Sequence, residues 1–242
     1  MKIRRVFFLS KSENMNFMFY YYIKVRTAKF IIGMNNDLDL DKQQVLIECE
    51  NGNYDEVDKY LRLKYPHSEG NETSNSLIPM LSYAILNREM QIVRILLNKN
   101  IDVNFVYDGC NSALMYGCQT WDVDIVSLLL KKGANVNYQN FNGATPLFIS
   151  ICTSEYSITE ELLHHGANIN HQDKNGITAL MLTSMFAEFR IAKLLIRRGV
   201  NPYLKDNNGD TFLDYIKDKN SKEMMKQYIE DYYVPNIKPA KR

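Results

Sequence analysis

One period dominates this sequence, because chemically similar residues recur at intervals of 33 positions. Four position classes share this interval: Leu81, Leu114, Leu147, Leu180 and Leu213; Ser112, Thr145, Thr178 and Thr211; Asn100, Gly133, Gly166 and Gly199; and Asn104, Asn137 and Asn170. A fixed period of this length is typical of proteins in which one small supersecondary unit packs on the next. The period therefore constrains the fold more than any single motif.

Within one unit, residues 140–172, local signals predict two short helices joined by turns. Asn142-Gly143 indicates a turn, since Gly tolerates positive φ. Thr145-Pro146 starts the first helix, because Thr suits the N-cap and Pro the first helical position. The second helix is expected over about residues 157–165, and Gly166 ends it in the left-handed conformation.

A helix pair this short cannot bury both of its apolar sides alone. Stacked neighbours supply the missing contacts, so stability arises between adjacent units. We interpret Leu147 and Leu163, which recur as Leu114/Leu129 and Leu180/Leu195, as core shared between units rather than as a site. The expected fold class is all-α, a helical repeat solenoid.

Two segments of this unit, Asn-Gly-Ala-Thr-Pro-Leu (142–147) and His-Gly-Ala-Asn-Ile-Asn (165–170), resemble the ankyrin repeat. The resemblance covers roughly residues 40–232 and is most specific over 100–213. It implies an ankyrin-type solenoid of four repeats: 74–106, 107–139, 140–172 and 173–205. A capping helix pair with a loop (34–73) would precede them, with residues 62–76 as an irregular insertion, and a capping pair (206–232) would follow.

The chain also departs from the family pattern. The His that usually follows Thr-x-Leu is replaced by Ser82, Met115, Phe148, Met181 and Asp214. Its hydrogen bonds must therefore be made by other groups or be missing. The turn Gly is displaced to Gly109, with Cys110 in its place, which predicts a distorted turn. Leu77 and Pro79 stand where the first repeat should have Gly and Thr.

The two termini differ from the repeats. Residues 1–33 are basic and aromatic, and three explanations remain open: a segment that touches a membrane, a loosely ordered tail, or translation that starts at Met34. We favour the last. The apolar run at residues 17–23 is far shorter than the roughly 20 residues of a membrane span. Residues 233–242 are expected to form a basic, disordered tail.

Charge and cysteine content narrow the partners and the compartment. The chain has 29 basic and 28 acidic side chains and a formal net charge of +1. Because a nucleic-acid-binding protein normally shows a basic surplus or stripe, we expect no nucleic-acid partner. The four cysteines show no C-x-x-C pair and no disulfide-like spacing, which indicates a reducing compartment and a cytoplasmic location.

Motifs for catalysis or cofactor binding are not evident. Gly143, Gly176 and Gly209 follow the repeat period, so we interpret them as turn residues rather than as a phosphate loop. His164 and His165 end a helix, where a polar or positive ring suits the helix dipole. With His171 they could suggest a metal site, but no cysteine or carboxylate pattern completes one. We expect neither an enzyme nor a cofactor or metal.

Binding must then use positions that the scaffold leaves free. The family binds partners through its finger turns and the exposed face of each first helix. The free positions are Asp108, Asn111, Phe141, Ala144, Lys174, Ile177, Asn207 and Asp210 in the fingers, and Leu86, Asn87, Gln119, Thr120, Cys152, Thr153, Met185 and Phe186 at first-helix ends. The predicted partner-binding residues are Trp121, Phe141, Lys174, Ile177, Phe186 and Asn207.

Our hypothesis is that Trp121, Phe141, Ile177 and Phe186 form one apolar patch, since aromatic anchors dominate interface energetics. The alternative is that Trp121 and Phe186 fold back and fill space against a neighbouring unit. The expected function is a monomeric, non-catalytic module that binds another protein. Two alternatives are a viral or bacterial effector or adaptor, which would act in the host cytoplasm, and an inhibitory regulatory subunit of an enzyme.

Overall fold

The computed structural model describes residues 40–65, 71–99, 101–106 and 111–233. Over these residues the chain forms eleven α-helices and no β-strand, apart from an isolated bridge between Gln172 and Thr178. The helices are α1 (Leu40–Glu50), α2 (Tyr54–Lys64), α3 (Asn71–Leu86), α4 (Met90–Leu97), α5 (Ala113–Gln119), α6 (Val123–Lys131), α7 (Pro146–Cys152), α8 (Tyr156–His164), α9 (Ala179–Met185), α10 (Phe189–Arg197) and α11 (Lys219–Tyr232). The all-α prediction is confirmed.

The helices pair as hairpins α3/α4, α5/α6, α7/α8 and α9/α10, and each of these hairpins packs on its neighbours. First helices contact first helices (α3 with α5, α5 with α7, α7 with α9), and second helices contact second helices (α6 with α8, α8 with α10). This is the stacking that the 33-residue period predicts. Among the described residues, no helix combines the length and the apolar character needed to cross a membrane.

Polar side chains and glycines set the helix ends. The hydroxyl oxygens of Ser112 and Thr178 accept hydrogen bonds from the third backbone N–H of α5 and α9, at 3.3 and 3.2 Å. Asp122 caps α6 in the same way. Gly133, Gly166 and Gly199 follow the second helices at φ of 86°, 83° and 84°. They reverse the chain because this left-handed conformation is costly for other residues. The equivalent residue Asn100 lies outside the described residues.

The buried leucines confirm the shared core, with one change of register. Leu129, Leu162 and Leu195 are each 0% exposed, whereas Leu163 is only half-buried. The sequence assignment of Leu163 to the core is therefore wrong by one residue. Helical spacing alone could not separate two adjacent leucines, but the repeat interval does, since Leu162 lies 33 residues from both Leu129 and Leu195.

Asparagines fasten one unit to the next. The side-chain nitrogen of Asn137 donates to the carbonyl oxygen of Gly166 at 3.1 Å, and its side-chain oxygen accepts from the N–H of Asn168 at 2.7 Å. Asn104 makes the same two bonds one unit earlier, and Asn170 accepts from Asn201 at 2.7 Å. This accounts for the fourth periodic class.

The missing family His has a partial substitute. Phe148, which occupies its place, is buried, and the ring of His171 lies 5.7 Å from the Phe148 ring. The Nε2 atom of His171 lies 2.7 Å from the carbonyl oxygen of Gly143, so a histidine near the end of the same unit hydrogen-bonds the turn. The hydroxyl oxygen of Thr145 is buried without a hydrogen-bond partner.

The ends of the stack differ from expectation in two places. The irregular insertion predicted at 62–76 is instead helical on both sides, since α2 runs to Lys64 and α3 starts at Asn71 and continues through Pro79. Residues 66–70, which carry most of the turn signals, lie outside the described residues. Gly109 and Cys110, residues 1–33 and the tail from 234 lie outside the described residues.

At the C-terminal end, residues 212–215 form consecutive turns instead of the first helix of a pair, and α11 alone follows. The Asp214 carboxylate accepts hydrogen bonds from both the N–H and the hydroxyl of Thr211, at 2.9 and 2.7 Å. Asp214 stands where the preceding units bury Met115, Phe148 and Met181, and an exposed carboxylate cannot supply that packing.

Candidate functional site

Three consecutive finger turns, formed by residues 140–143, 173–176 and 206–209, precede first helices or their equivalent. Each begins with a side chain that organises its own backbone. In the middle turn, one carboxylate oxygen of Asp173 accepts hydrogen bonds from the N–H groups of Asn175 and Ile177, at 2.8 and 2.9 Å. Asn140 and Asp206 do the same in the other two turns.

Neighbouring finger turns are bound directly to each other. The backbone N–H of Asn207 donates to the carbonyl oxygen of Asn175 at 3.0 Å, and its side-chain nitrogen donates to that of Lys174 at 3.1 Å. A Cβ atom on Gly176 would lie only 2.8 Å from the backbone nitrogen of Asn207. These contacts fix the turns relative to one another, so the side chains at their tips have defined spacing.

The second residue of each turn has an exposed side chain: Phe141, Lys174 and Asn207, which are separated by the repeat interval. We call these three residues the finger-tip line. Phe141 is 60% exposed, which is unusual for a phenylalanine and is not required by the scaffold. Three of the six sequence-predicted binding residues are therefore brought together. Asp108, at the equivalent position one unit earlier, lies outside the described residues.

Ile177 does not belong to an exposed patch, because it is only 8% exposed. Ala144, at the same position in the preceding unit, is 0% exposed. Both residues close their turn through hydrogen bonds to its first residue and lie next to the start of a first helix. The prediction of Ile177 as a free surface residue is wrong, since it contributes to packing.

Trp121 and Phe186 lie away from the finger turns. Each follows the C-terminal end of a first helix, whereas the finger turns precede the N-terminal ends. The two ends of these seven-residue helices are about 10 Å apart. At the C-terminal ends of first helices, the hydroxyl of Thr153 donates to the carbonyl oxygen of Cys118 at 3.2 Å. At the N-terminal ends, the side-chain nitrogen of Asn140 donates to the side-chain oxygen of Asn111 at 2.9 Å. The C-terminal end of one first helix therefore contacts the C-terminal end of the next, and the N-terminal ends likewise meet. The structure therefore divides the predicted single patch.

Trp121 is 53% exposed and Phe186 is half-buried. Trp121 has φ of 62° and belongs to a series that sequence reasoning missed. Arg88, Trp121, Ser154 and Ala187 occupy the turn between the two helices of successive units, and all four have φ between 56° and 64°. These four positions could have been found from their 33-residue spacing. The series is hard to recognise because the four side chains differ in size and polarity.

The other predicted free positions vary in exposure. Asn87 and Asp210 are exposed; Leu86, Asn111, Gln119, Cys152, Thr153 and Met185 are half-buried; and Thr120 is buried. Half-burial leaves these side chains limited area for a partner. The finger tips Phe141, Lys174 and Asn207 are all exposed, whereas most of the predicted positions at first-helix ends are not.

The titratable groups of the described residues do not assemble a reactive centre. Burial raises the pKa of the Cys152 thiol to about 12, and burial together with the charges of Glu48 and Glu89 raises that of Cys49 to about 12. Both thiols are therefore held protonated, whereas nucleophilic cysteines need a lowered pKa. No group of three or more His, Cys, Asp or Glu side chains with metal-binding spacing occurs in the part of the chain that the structure describes.

The architecture agrees with a comparison against protein-family models. A family model described as ankyrin repeats (3 copies) matches residues 45–140, 81–173 and 156–238, which together cover well over half of the chain. No curated protein matches the sequence significantly. Stacked helix pairs, left-handed glycines after the second helices and hydrogen-bonded finger turns are found over the same residues that the model matches. The chain belongs to the ankyrin repeat family.

Proposed function

We propose that this chain is a non-catalytic, monomeric module that binds another protein through the finger-tip line, with Phe141 as the apolar anchor. Ankyrin repeats are in general protein–protein interaction modules. The observation that carries this proposal is the 60% exposure of Phe141 on a turn that is hydrogen-bonded into a row with its neighbours.

The row of turns favours binding because it is organised before a partner arrives. Ordering a loop on association costs free energy, and a turn that is already fixed avoids this cost. An aromatic side chain with two rotatable bonds also offers a large contact area at little entropic cost. Phe141 would supply apolar contact. Lys174, on the next turn, would supply a positive charge, and Asn207, on the turn after that, would supply hydrogen bonds.

The proposal is tested by affinity purification of the tagged full chain from a cellular extract, followed by mass spectrometry. Phe141→Ala is compared with Met224→Ala, which removes a 42% exposed apolar side chain on α11. We expect Phe141→Ala to lose specific partners that Met224→Ala retains. Both variants should keep their thermal stability within about 1 kcal/mol, since exposed side chains contribute little to folding.

A third variant separates the two ends of the first helices. Trp121→Ala removes the exposed aromatic residue between α5 and α6 and leaves the finger turns unchanged. If partners are lost with Trp121→Ala and retained with Phe141→Ala, the binding surface lies on the helix–helix turns and the finger-tip proposal is wrong. The same holds if neither variant changes the captured proteins.

A further inference from the structure

A second charged feature lies outside the finger-tip line, at the C-terminal ends of the second helices. Two adjacent residues recur there with the repeat interval: Lys131-Lys132, His164-His165 and Arg197-Arg198. We call these six residues the basic column. All six are exposed. The formal net charge of +1 conceals the column, because acidic residues elsewhere in the chain balance it.

Neighbouring units are joined along this column. The Nζ atom of Lys132 donates to the side-chain oxygen of Asn98, one unit earlier, at 3.1 Å. Two units later, a guanidinium nitrogen of Arg198 donates to a carboxylate oxygen of Glu160, in the preceding unit, at 3.1 Å. Arg197 lies over the rings of Tyr228 and Tyr232, at 5.8 and 5.5 Å. These contacts fix Lys132, Arg197 and Arg198 against neighbouring residues.

The charge in this row is not uniform. The lysine pair and the arginine pair are separated by the histidine unit, where Glu160 and Glu161 add two carboxylates. A single basic residue at a helix C-terminus is explained by the helix dipole. The dipole does not explain why both residues of a pair are charged, nor why a partly acidic unit lies between two cationic ones.

We propose that the basic column binds an extended protein segment that carries two acidic pairs separated by uncharged residues. Packed helices lie about 8–10 Å apart, so the lysine and arginine pairs are separated by roughly 20 Å. An extended chain advances about 3.3 Å per residue, and about six residues therefore span this distance. A uniformly charged polyanion such as a nucleic acid would place negative charge against Glu160, whereas a peptide avoids this with neutral residues.

The test measures fluorescence anisotropy of labelled peptides with the full chain. The spaced peptide is Glu-Glu-Gly-Ser-Gly-Ser-Glu-Glu, and the contiguous peptide, Gly-Ser-Glu-Glu-Glu-Glu-Gly-Ser, has the same composition. We expect the spaced peptide to bind more tightly, by about fivefold or more, and to weaken as salt rises because the interaction is screened. Equal binding of the two peptides, or no binding of the spaced one, overturns the proposal.

Variants locate the site. Lys131→Ser with Lys132→Ser should weaken the spaced peptide about tenfold, as expected for the loss of charge-assisted contacts. The matched control, Lys217→Ser with Lys219→Ser, removes two exposed lysines outside the column and should leave binding within about twofold. If both pairs weaken the peptide equally, binding reflects overall charge and the column is not a site.

Glu160→Gln tests the role of the central carboxylate, and circular dichroism confirms that each variant is folded. The contiguous peptide should bind Glu160→Gln more tightly than the wild type, because the repulsion is removed. An unchanged affinity contradicts the charge pattern. A single-stranded DNA oligonucleotide and phosphatidylserine vesicles are measured in parallel. Tighter binding of either one than of the spaced peptide, lost in the lysine variant, would assign the column to that class of partner instead.

Discussion

The turn between the two helices of each unit offers a stability test that runs against ordinary expectation, since it replaces a residue by glycine to stabilise the fold. Ala187 has φ of 56°, in the left-handed region, and is exposed. A residue with a Cβ atom is strained there by roughly 1–2 kcal/mol, and glycine is not. Ala187→Gly removes this strain without the loss of any longer side chain.

The gain is reduced by the greater freedom of glycine in the unfolded chain, which amounts to about 0.4–1 kcal/mol. The difference predicts that Ala187→Gly raises the free energy of unfolding by about 0.5–1 kcal/mol. The backbone hydrogen bonds at this turn, including that from the N–H of Ala187 to the carbonyl oxygen of Ser184 at 3.2 Å, are retained in the variant.

Gly199→Ala is the reciprocal variant in the same unit. Gly199 has φ of 84°, and a Cβ atom added there would meet no atom within 4 Å. The substitution Gly199→Ala therefore acts through backbone conformation and creates no clash with neighbouring atoms. We expect it to lower the free energy of unfolding by about 0.5–1 kcal/mol. Urea unfolding followed by circular dichroism gives both values. A loss of stability in Ala187→Gly, or a change of the same sign in both variants, would refute the reasoning.

Four further variants, each measured by urea unfolding, test contacts of buried or half-buried residues. Thr145→Val should leave the free energy of unfolding within about 1 kcal/mol of the wild type or raise it, because the buried hydroxyl oxygen of Thr145 has no hydrogen-bond partner. Thr178→Val removes the N-cap of α9 and should lower the free energy of unfolding by about 0.5–2 kcal/mol. Ile177→Ala should cost about 2–4 kcal/mol because Ile177 is buried, and a loss below 1 kcal/mol would show that it is surface. Tyr215→Phe removes the hydroxyl that donates to Asp206 at 2.5 Å and should cost about 1–3 kcal/mol at neutral pH. Burial raises the pKa of Asp206, but hydrogen bonds from Tyr215 and from backbone N–H groups outweigh it and lower the pKa overall. The loss of stability caused by Tyr215→Phe should therefore be complete above a pH of about 4. It should decrease as the pH falls through the lowered pKa of Asp206, because the protonated carboxyl no longer accepts this hydrogen bond as a charged group.

Much of the fold followed from local features that repeat. The turn glycines and the N-cap residues Ser112 and Thr178 act within a few residues of the backbone, so their sequence position also gives their structural role. The exposure of the finger-tip residues Phe141 and Lys174 could be predicted for the same reason. A side chain at the tip of such a turn is exposed to solvent whatever its type. Two adjacent apolar residues satisfy the helical pattern equally well, and only the repeat interval, which links Leu162 to Leu129 and Leu195, separates Leu162 from Leu163.

Several features depend on groups that are distant in the sequence. His171 substitutes for the missing family His across 28 residues, and Arg198 reaches Glu160 across 38 residues. The burial of Ile177 likewise depends on its position next to the start of a first helix. Trp121 is separated from Phe141 because Trp121 follows the C-terminal end of a first helix, whereas Phe141 precedes an N-terminal end.

The sequence by itself determined the repeat, the helix pairs, the turns and the family, because each of these arises from residues within one 33-residue unit. Only the tertiary structure decided which side chains are exposed, which neighbours the residues of the basic column contact, and that Phe141 and Trp121 lie at different ends of the first helices. The physical reason is that exposure and charge neighbours are set by the units on either side, and stacking brings together residues that the chain itself holds a full repeat apart.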